Sequence, residues 1–395
     1  MKKYSDYFDG LIPKWDYIES LDEFNMMKGC KHSSYWHGEG DPLDHTKLVV
    51  KNMRRFLDAD DVLDRYEIDD WHKEALMMAA LYHDVAKPVV TKWDDKKEDW
   101  AAPNHSEEGA KMTRIILYDW EDVEQREYIV GLVRNHMVLH HILEGDEAKQ
   151  YKKFYRFCGC DKVNIKYKHQ CLLCQCDDYG SWCKNISVAE KMYTQWEILG
   201  LENVSLDGHY AVRNVQPMQL VYNAKRDVYK TSRVHSLESD PGIDVYVLIG
   251  VPGSGKSTWA KRNVPELPVV SRDIARIELG FCKDGDKYLG TKDEENKVTT
   301  YVEKKIVELA KEGKDFVIDN THLRQKYRDR IHELLRDYPV NYIYIYIEAP
   351  TLEDNIKRRE EDGFGEKSRE IITNMLMSFE FPYGYEYDQL IIEKQ

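Results

Sequence analysis

The chain of 395 residues contains no run of about 18 apolar residues, and its start, Met1-Lys2-Lys3-Tyr4-Ser5-Asp6, has no apolar stretch of the kind a secretory signal needs. A membrane span and an export route are therefore not expected, and a cytoplasmic location is. Positive charge is not in excess either: 57 Lys and Arg face 71 Asp and Glu, a formal charge of −14. Proteins that coat duplex nucleic acid through many phosphate contacts carry a basic face, so that class is disfavoured, while a local phosphate site is not. Sequence repeats and low-complexity segments are absent. Cysteine is sparse, with six of the eight residues lying between Cys158 and Cys183. A reducing compartment leaves them as thiols or metal ligands rather than disulfides.

What is present is enough chain for two or three domains, each able to bury a core. The first half carries apolar residues at three- and four-residue steps in Leu43 to Leu57, Trp71 to Val85, Val123 to Leu143 and Lys166 to Tyr179, which predicts an all-α domain over residues 1–202. Loops are marked by Gly38 to Pro42, by the charged run Trp93 to Trp100 and by Gly145 to Glu147. Over 203–242 the periodicity fades and turn dipeptides accumulate, which predicts a connector. Its inner part, His209 to His235, interleaves Arg213, Lys225, Arg226, Lys230 and Arg233 with tyrosines. That pattern suits either a solvated linker, the favoured reading, or a strand of nucleic acid held by phosphate contact and stacking.

After Gly242, short apolar runs (Val245 to Ile249, Val269-Val270, Phe316 to Ile318, Tyr342 to Ile347) alternate with helical segments such as Glu294 to Lys311 and Lys326 to Arg336. This is the rhythm of an α/β domain with a parallel sheet over 243–395. Between the first strand and the next helix lies Gly250-Val251-Pro252-Gly253-Ser254-Gly255-Lys256-Ser257-Thr258, a fit to G-x-x-x-x-G-K-[ST] in the required context. The glycines Gly250, Gly253 and Gly255 allow backbone N–H groups, including those of Ser254 and Thr258, to wrap phosphates. Lys256 brings a positive charge and the Ser257 hydroxyl a ligand for Mg²⁺. A nucleoside triphosphate, ATP or GTP, with Mg²⁺ is implied.

Beyond the second strand, Asp273 is placed to accept the proton of an attacking hydroxyl, and Arg276, one turn later, to hold an acceptor phosphate; a plain helix cap with solvated arginines is the bland alternative. Asp319, at the end of Phe316 to Ile318, is placed for Mg²⁺ or an acceptor, or for a cap. Arg358, with Arg359 as second choice, precedes a glycine-bearing segment that could close over phosphates. Together these pieces resemble the kinase module of 5′-OH polynucleotide kinases over residues 243–395. The resemblance implies Asp273 as general base, Arg276 on the acceptor phosphate, and a strand-end element at Asp319-Asn320-Thr321.

The first half holds His45, the doublet His83-Asp84, His105, His136 and the pair Asp177-Asp178, residue types that suit a transition metal. Singly, each is more often a core or surface residue. As a set they resemble the HD phosphohydrolase superfamily over residues 35–185, with Ala80 to Lys87 matching its signature segment. The resemblance implies one metal on His45, His83, Asp84 and Asp177 (Asp178 the alternative), and a second on His105 and His136 with Asp84 bridging. The metals would be one or two ions of the Mn, Ni, Co, Zn or Fe kind. Lys87 adds charge beside the phosphate, and His37 and His141 are near candidates for substrate contact or acid catalysis. The cysteines Cys158, Cys160, Cys171, Cys174, Cys176 and Cys183 could hold zinc, but three of them share the Asp177 helix, where packed thiols are favoured.

An HD phosphohydrolase followed by a P-loop kinase resembles the bacterial HD-polynucleotide kinase family of RNA end-healing enzymes. That implies removal of a 2′,3′-cyclic or 3′ phosphate by one site and phosphorylation of a 5′-OH by the other. RNA ends, or DNA ends, would be the partners, with an RNA ligase downstream and no membrane. The alternative is a nucleotide phosphohydrolase fused to a nucleoside kinase, both acting on small molecules.

Overall fold

The computed structural model describes residues 2–33, 35–138, 140, 167–182, 242–283, 290–361, 365, 367–382 and 386–395. The chain divides into two compact units, Met1–Tyr222 and Asn223–Gln395. The connector expected at 203–242 lies, apart from Gly242, outside the described residues, as do His141, Cys158, Cys160 and Cys183. Among the described residues no helix is long and apolar enough to cross a membrane.

The first unit is framed by the helices Pro42–Leu57, Asp70–Tyr82, His105–Ile116, Val123–Asn135 and Tyr167–Gly180. Aspartates start three of them. Asp41 accepts from the backbone N–H groups of Leu43 at 2.9 Å and Asp44 at 3.0 Å, Asp69 from His72 at 2.9 Å and Asp122 from Gln125 at 3.0 Å. Each such cap stabilises by about 1 kcal/mol. Every residue from Ala75 to Tyr82 is buried, so this helix is the axis of the core, packed all round as its unbroken apolar sequence requires. It ends at His83-Asp84, where tighter turns replace the helical ladder (Val85 N–H to the Tyr82 carbonyl at 3.1 Å, Lys87 N–H to that of Asp84 at 2.9 Å), and the chain restarts in the short helix Lys87–Val90 with Pro88 in its first turn. A doublet of polar residues is thereby delivered to the centre of the unit.

The charged run read as a loop is in fact a hairpin. Lys92–Asp94 pairs antiparallel with Asp99–Ala101, and Trp93 stands opposite Trp100 with the rings 5.7 Å apart at 78°. Three residues a side is too short for alternation to be visible in sequence, and a cross-strand aromatic pair supplies the missing stabilisation.

The second unit is an α/β domain with a five-stranded sheet, ordered Val269–Ser271, Phe316–Asp319, Ile243–Ile249, Val340–Glu348, Gln389–Lys394. All the pairings are parallel. The edge strand Gln389–Lys394 has no strong sequence signal, since only Leu390, Ile391 and Ile392 are apolar. It forms by pairing along Ile343 to Glu348 of a strand already in place. The central strand has its two neighbours reached by connections running to opposite sides, so a crevice opens beyond its carboxyl end. The glycine-rich loop lies there.

Candidate functional site

In the first unit, side chains from three of the framing helices (His45, His105 and Asp177) and from the residues that end the other two (His83 after Tyr82, His136 after Asn135) converge on Asp84. His83 Nε2 lies 3.2 Å from Asp84 Oδ2, and His45 Nε2 lies 3.7 Å from the same oxygen. On the other oxygen, Oδ1, His105 Nε2 is at 3.5 Å and His136 Nε2 at 3.9 Å. Asp177 closes the set, its Oδ1 2.8 Å from His45 Nε2 and 3.8 Å from His83 Nε2. Three groups have ligand atoms close enough to share an ion: His45, His83 and Asp177 in one and Asp84, His105 and His136 in another, which meet at Asp84, and His37, Glu39 and His45 in a third, on the other side of the His45 ring. Its neighbour Asp178 turns elsewhere, to His140 at 2.7 Å.

Whether these residues fit a cation can be judged from their protons. His83 Nδ1 bonds the Ala80 carbonyl at 2.9 Å, His105 Nδ1 that of Ala102 at 2.8 Å, and His136 Nδ1 that of Val133 at 2.7 Å. Carbonyls only accept, so each Nδ1 is an N–H, and in a neutral ring this leaves Nε2 to carry the lone pair. Burial holds His105 below the ordinary histidine value; burial, with His105 and His83 nearby, pushes His136 down to about 3. These imidazoles are therefore neutral, and the Nε2 atoms of His105 and His136 face each other at 3.1 Å with their lone pairs turned inward. His83 Nε2 is buried and has no hydrogen-bond partner among the described residues. Burial would raise both carboxylates, yet Lys87 holds Asp84, and His45 holds Asp177, well below the usual carboxylate range. Converging lone pairs and ionised carboxylates in a buried pocket are the electrostatic signature of a cation site. The donor set suits a divalent transition metal.

His45 is oriented differently. Its Nδ1 lies 2.9 Å from Glu39 Oε1, and Asp177 and Glu39 together outweigh its burial and bring its pKa up to about 9. A cation at Nε2 would take the place of that proton, leaving Glu39 as the carboxylate that sets the ring. Sequence reasoning did not find Glu39, which sits in a loop with no motif of its own. The signal was its position between His37 and His45. Glu39 also accepts from the Trp182 N–H at 2.8 Å and from His37 Nδ1 at 2.8 Å. Lys87 Nζ reaches Asp84 Oδ2 at 2.6 Å and His37 Nε2 at 3.3 Å. His37 is pushed down to about 4 by burial and by Lys87, so it is a neutral acceptor toward Lys87 and not an acid.

Gly180 is why the Asp177 helix comes close enough. A Cβ there would stand 2.8 Å from Val49 Cγ2 and 3.4 Å from His45 Cε1. On the same helix Cys171, Cys174 and Cys176 are buried free thiols, Cys174 donating to the His136 carbonyl at 2.8 Å. No candidate metal group among the described residues includes a cysteine.

In the second unit the loop Gly250 to Lys256 wraps a space above the central strand. Gly253 has φ +79° and Gly255 φ +102°, and a Cβ on Gly253 would meet the Asn355 carbonyl at 2.9 Å, so both positions need glycine. Asn355 Nδ2 donates to the Pro252 carbonyl at 2.6 Å and fixes the loop's far side. Lys256 is buried, donates to the Val251 carbonyl at 2.9 Å, and is pushed down to about 8 by that burial, against the pull of Asp319 and Asp273. Ser257 Oγ donates to Asp319 Oδ2 at 2.5 Å, two oxygen ligands side by side where Mg²⁺ would be held. Thr258 follows on the Lys256–Asn263 helix.

Asp273 stands exposed at the start of the Arg272–Glu278 helix, close enough to act electrostatically on Lys256 and Asp319, and bonded to Arg276 at 2.5 Å. Arg276 also meets Glu295 at 3.0 Å. Asn320 Oδ1 accepts from the Arg272 N–H at 3.1 Å, which ties this helix to the Asp319 strand end. The two candidate arginines diverge. Arg358 donates to the Gln395 carbonyl at 2.7 Å, whereas the backbone of Arg359 lies against Gly253 and its charge bears on Lys256. Below the loop, buried His322 bonds the Leu248 carbonyl at 2.9 Å, and the buried Arg328 holds both Glu386 at 2.6 Å and the His322 carbonyl at 2.9 Å. The Arg328–Glu386 pair had no sequence signal, being 58 residues apart.

Comparison with known families agrees with this division. The HD domain family matches residues 43–163, and the AAA domain family, a P-loop kinase-like module, matches residues 245–382. The chain thus combines a hydrolase-type HD domain with a kinase-like nucleotide-binding domain. No curated protein matches it. Among solved structures, a Chloroflexus aurantiacus protein described as a "putative kinase" aligns at 13% identity and a TM-score of 0.31, covering 39% of this chain and 89% of that one.

Proposed function

We propose that this protein is a bifunctional nucleic-acid end-healing enzyme: the HD centre removes 2′,3′-cyclic or 3′ phosphate, and the P-loop unit transfers the γ-phosphoryl of a nucleoside triphosphate to a 5′-OH. The observation that carries the reading is the presence, in one chain, of a buried His/Asp cluster suited to a divalent cation and a phosphate-loop unit with an exposed carboxylate, Asp273, beside an arginine. One or two transition metals on His45, His83, Asp84, His105, His136 and Asp177 would supply Lewis-acid polarisation of phosphoryl oxygens and activation of water at neutral pH. The chain's own part there is to hold a phosphate beside Lys87 and to keep His37 neutral against it. In the kinase unit the 5′ oxygen attacks Pγ as the bond to the nucleoside diphosphate breaks, and Asp273 takes the proton. Lys256 neutralises the phosphates, Ser257 and Asp319 would hold Mg²⁺, and Arg276 is the cation on the acceptor side. Arg359, whose backbone adjoins Gly253 and whose charge bears on Lys256, is a better choice than Arg358 to cover the transferring group.

The test is RNA with 5′-OH and 2′,3′-cyclic phosphate ends, incubated with ATP or GTP, Mg²⁺ and a panel of transition metals. Asp84→Ala should abolish 3′-end processing and leave 5′ phosphorylation, while Asp273→Ala should lower 5′ phosphorylation about 10²–10⁴-fold and leave 3′ processing. Phosphorylation of free nucleosides in preference to oligonucleotides would replace this reading with the small-molecule one.

A further inference from the structure

Beside the metal set lies a cavity of about 580 Å³ that none of the steps above employs. It is lined by Trp93, Glu98, Asp99 and Trp100 of the hairpin and by the stretch from Gly29 to Asp41, with Lys31, His32 and His37 in it. That volume falls in the range of small-molecule sites, about 300–1,000 Å³. The two indoles meet edge to face, and Trp93 is 49% exposed. The His32 and His37 rings in the same lining are stacked, 4.4 Å apart and 8° from coplanar. Ser33 Oγ donates to Asp99 Oδ2 at 2.5 Å and bolts the hairpin to the facing segment.

We propose that this cavity is a nucleobase subsite, in which the base of the nucleotide whose phosphate lies beside Lys87 at the metal set stacks on Trp93 and Trp100. The assignment rests on the phosphoesterase reading of the HD centre. Two observations favour a base over an apolar ligand. The cavity adjoins the metal set through His37, which lines it while accepting from Lys87 at 3.3 Å, and Lys87 in turn holds Asp84 at 2.6 Å. Its lining sets the two indoles among polar side chains, Lys31, Asp41, Glu98 and Asp99. A base suits both at once, with a π-face for the indoles and a polar edge for those side chains, whereas a hydrocarbon offers the polar groups nothing. Because every base has a π-face, discrimination among the four should be weak.

Two measurements on the full chain loaded with Mn²⁺ test this. Adenosine 3′-monophosphate should quench tryptophan fluorescence, ribose 5-phosphate and inorganic phosphate should not, and the quench should vanish in Trp93→Ala, with a saturating non-hydrolysable triphosphate and Mg²⁺ filling the P-loop throughout. In turnover, Trp93→Ala should raise KM for nucleoside 2′,3′-cyclic phosphates about tenfold at nearly constant kcat. The base-free ribose 2′,3′-cyclic phosphate should be unaffected, and Trp93→Phe should restore most of the loss. Equal effects on substrates with and without a base, or a quench that persists in Trp93→Ala, would overturn the subsite while leaving the phosphoesterase intact. A Trp93-dependent quench with no ester cleaved would keep the subsite and overturn the phosphoesterase.

Discussion

At the scale of single residues, the two centres are governed by burial acting against neighbouring charge. Glu39 shows the balance: His37 and His45 hold it far below the ordinary carboxylate range despite its partial burial. As the group that orients His45, it should matter to the metal without touching it. Glu39→Gln is expected to weaken transition-metal affinity about 10–100-fold, measured by competition with a chromogenic chelator, with the kinase reaction unchanged. His322 gives the opposite case, a histidine kept neutral. Burial pushes it down to about 4 from an ordinary value of 6.5. Between those values the unfolded chain binds the extra proton and the folded one does not, so stability falls as pH drops from 6.5 toward 4, by up to about 3 kcal/mol. His322 has φ +42° and uses Nδ1 to reach Leu248. Asparagine tolerates that backbone and keeps a donor, so denaturant titrations of His322→Asn should show the acid loss flattened.

At the scale of elements, close approach decides the metal set. Gly180→Ala would drive a methyl into Val49 and toward His45, so the Tyr167–Gly180 helix should shift outward and take Asp177 with it. Metal content after dialysis should drop while the far-ultraviolet circular dichroism of the chain stays near that of the parent. This element also marks how much could be read in advance. The helices that carry His45, His83 and Asp177 were legible because their apolar spacing survives in sequence, and the phosphate loop because its glycines are required by local backbone geometry. Glu39, the Trp93–Trp100 hairpin and the strand Gln389–Lys394 were not. Their conformations are set by partners far along the chain, Trp182 for Glu39, Ser33 for the hairpin, and Ile343 to Glu348 for the strand. A short polar segment carries no periodic pattern that would announce such a partner.

At the scale of the whole molecule, the two units hold separate cores and separate chemistry. Each should answer to its own ligand. In a thermal scan, a non-hydrolysable triphosphate with Mg²⁺ at about 100 times its Kd should stabilise one transition by about 2.7 kcal/mol, and the transition metal should move the other. A single transition moved by both ligands would mean that the units unfold together. The net charge of −14, which argued against a coat for duplex, is compatible with an enzyme of strand ends, because part of the acid is turned inward to cations: Asp84 and Asp177 in one unit, Asp319 in the other.

The carbonyls that fix His83, His105 and His136 belong to the main chain, and no side-chain replacement can remove them. Three of the four imidazoles are therefore beyond the reach of ordinary mutation in their outer surroundings. The fourth, His45, is keyed by Glu39, on the same short stretch as His37, whose ring borders the cavity. Among the described residues, His45 is thus the imidazole of the set whose outer partner a side-chain replacement can change, and that partner adjoins the place where substrates would be told apart.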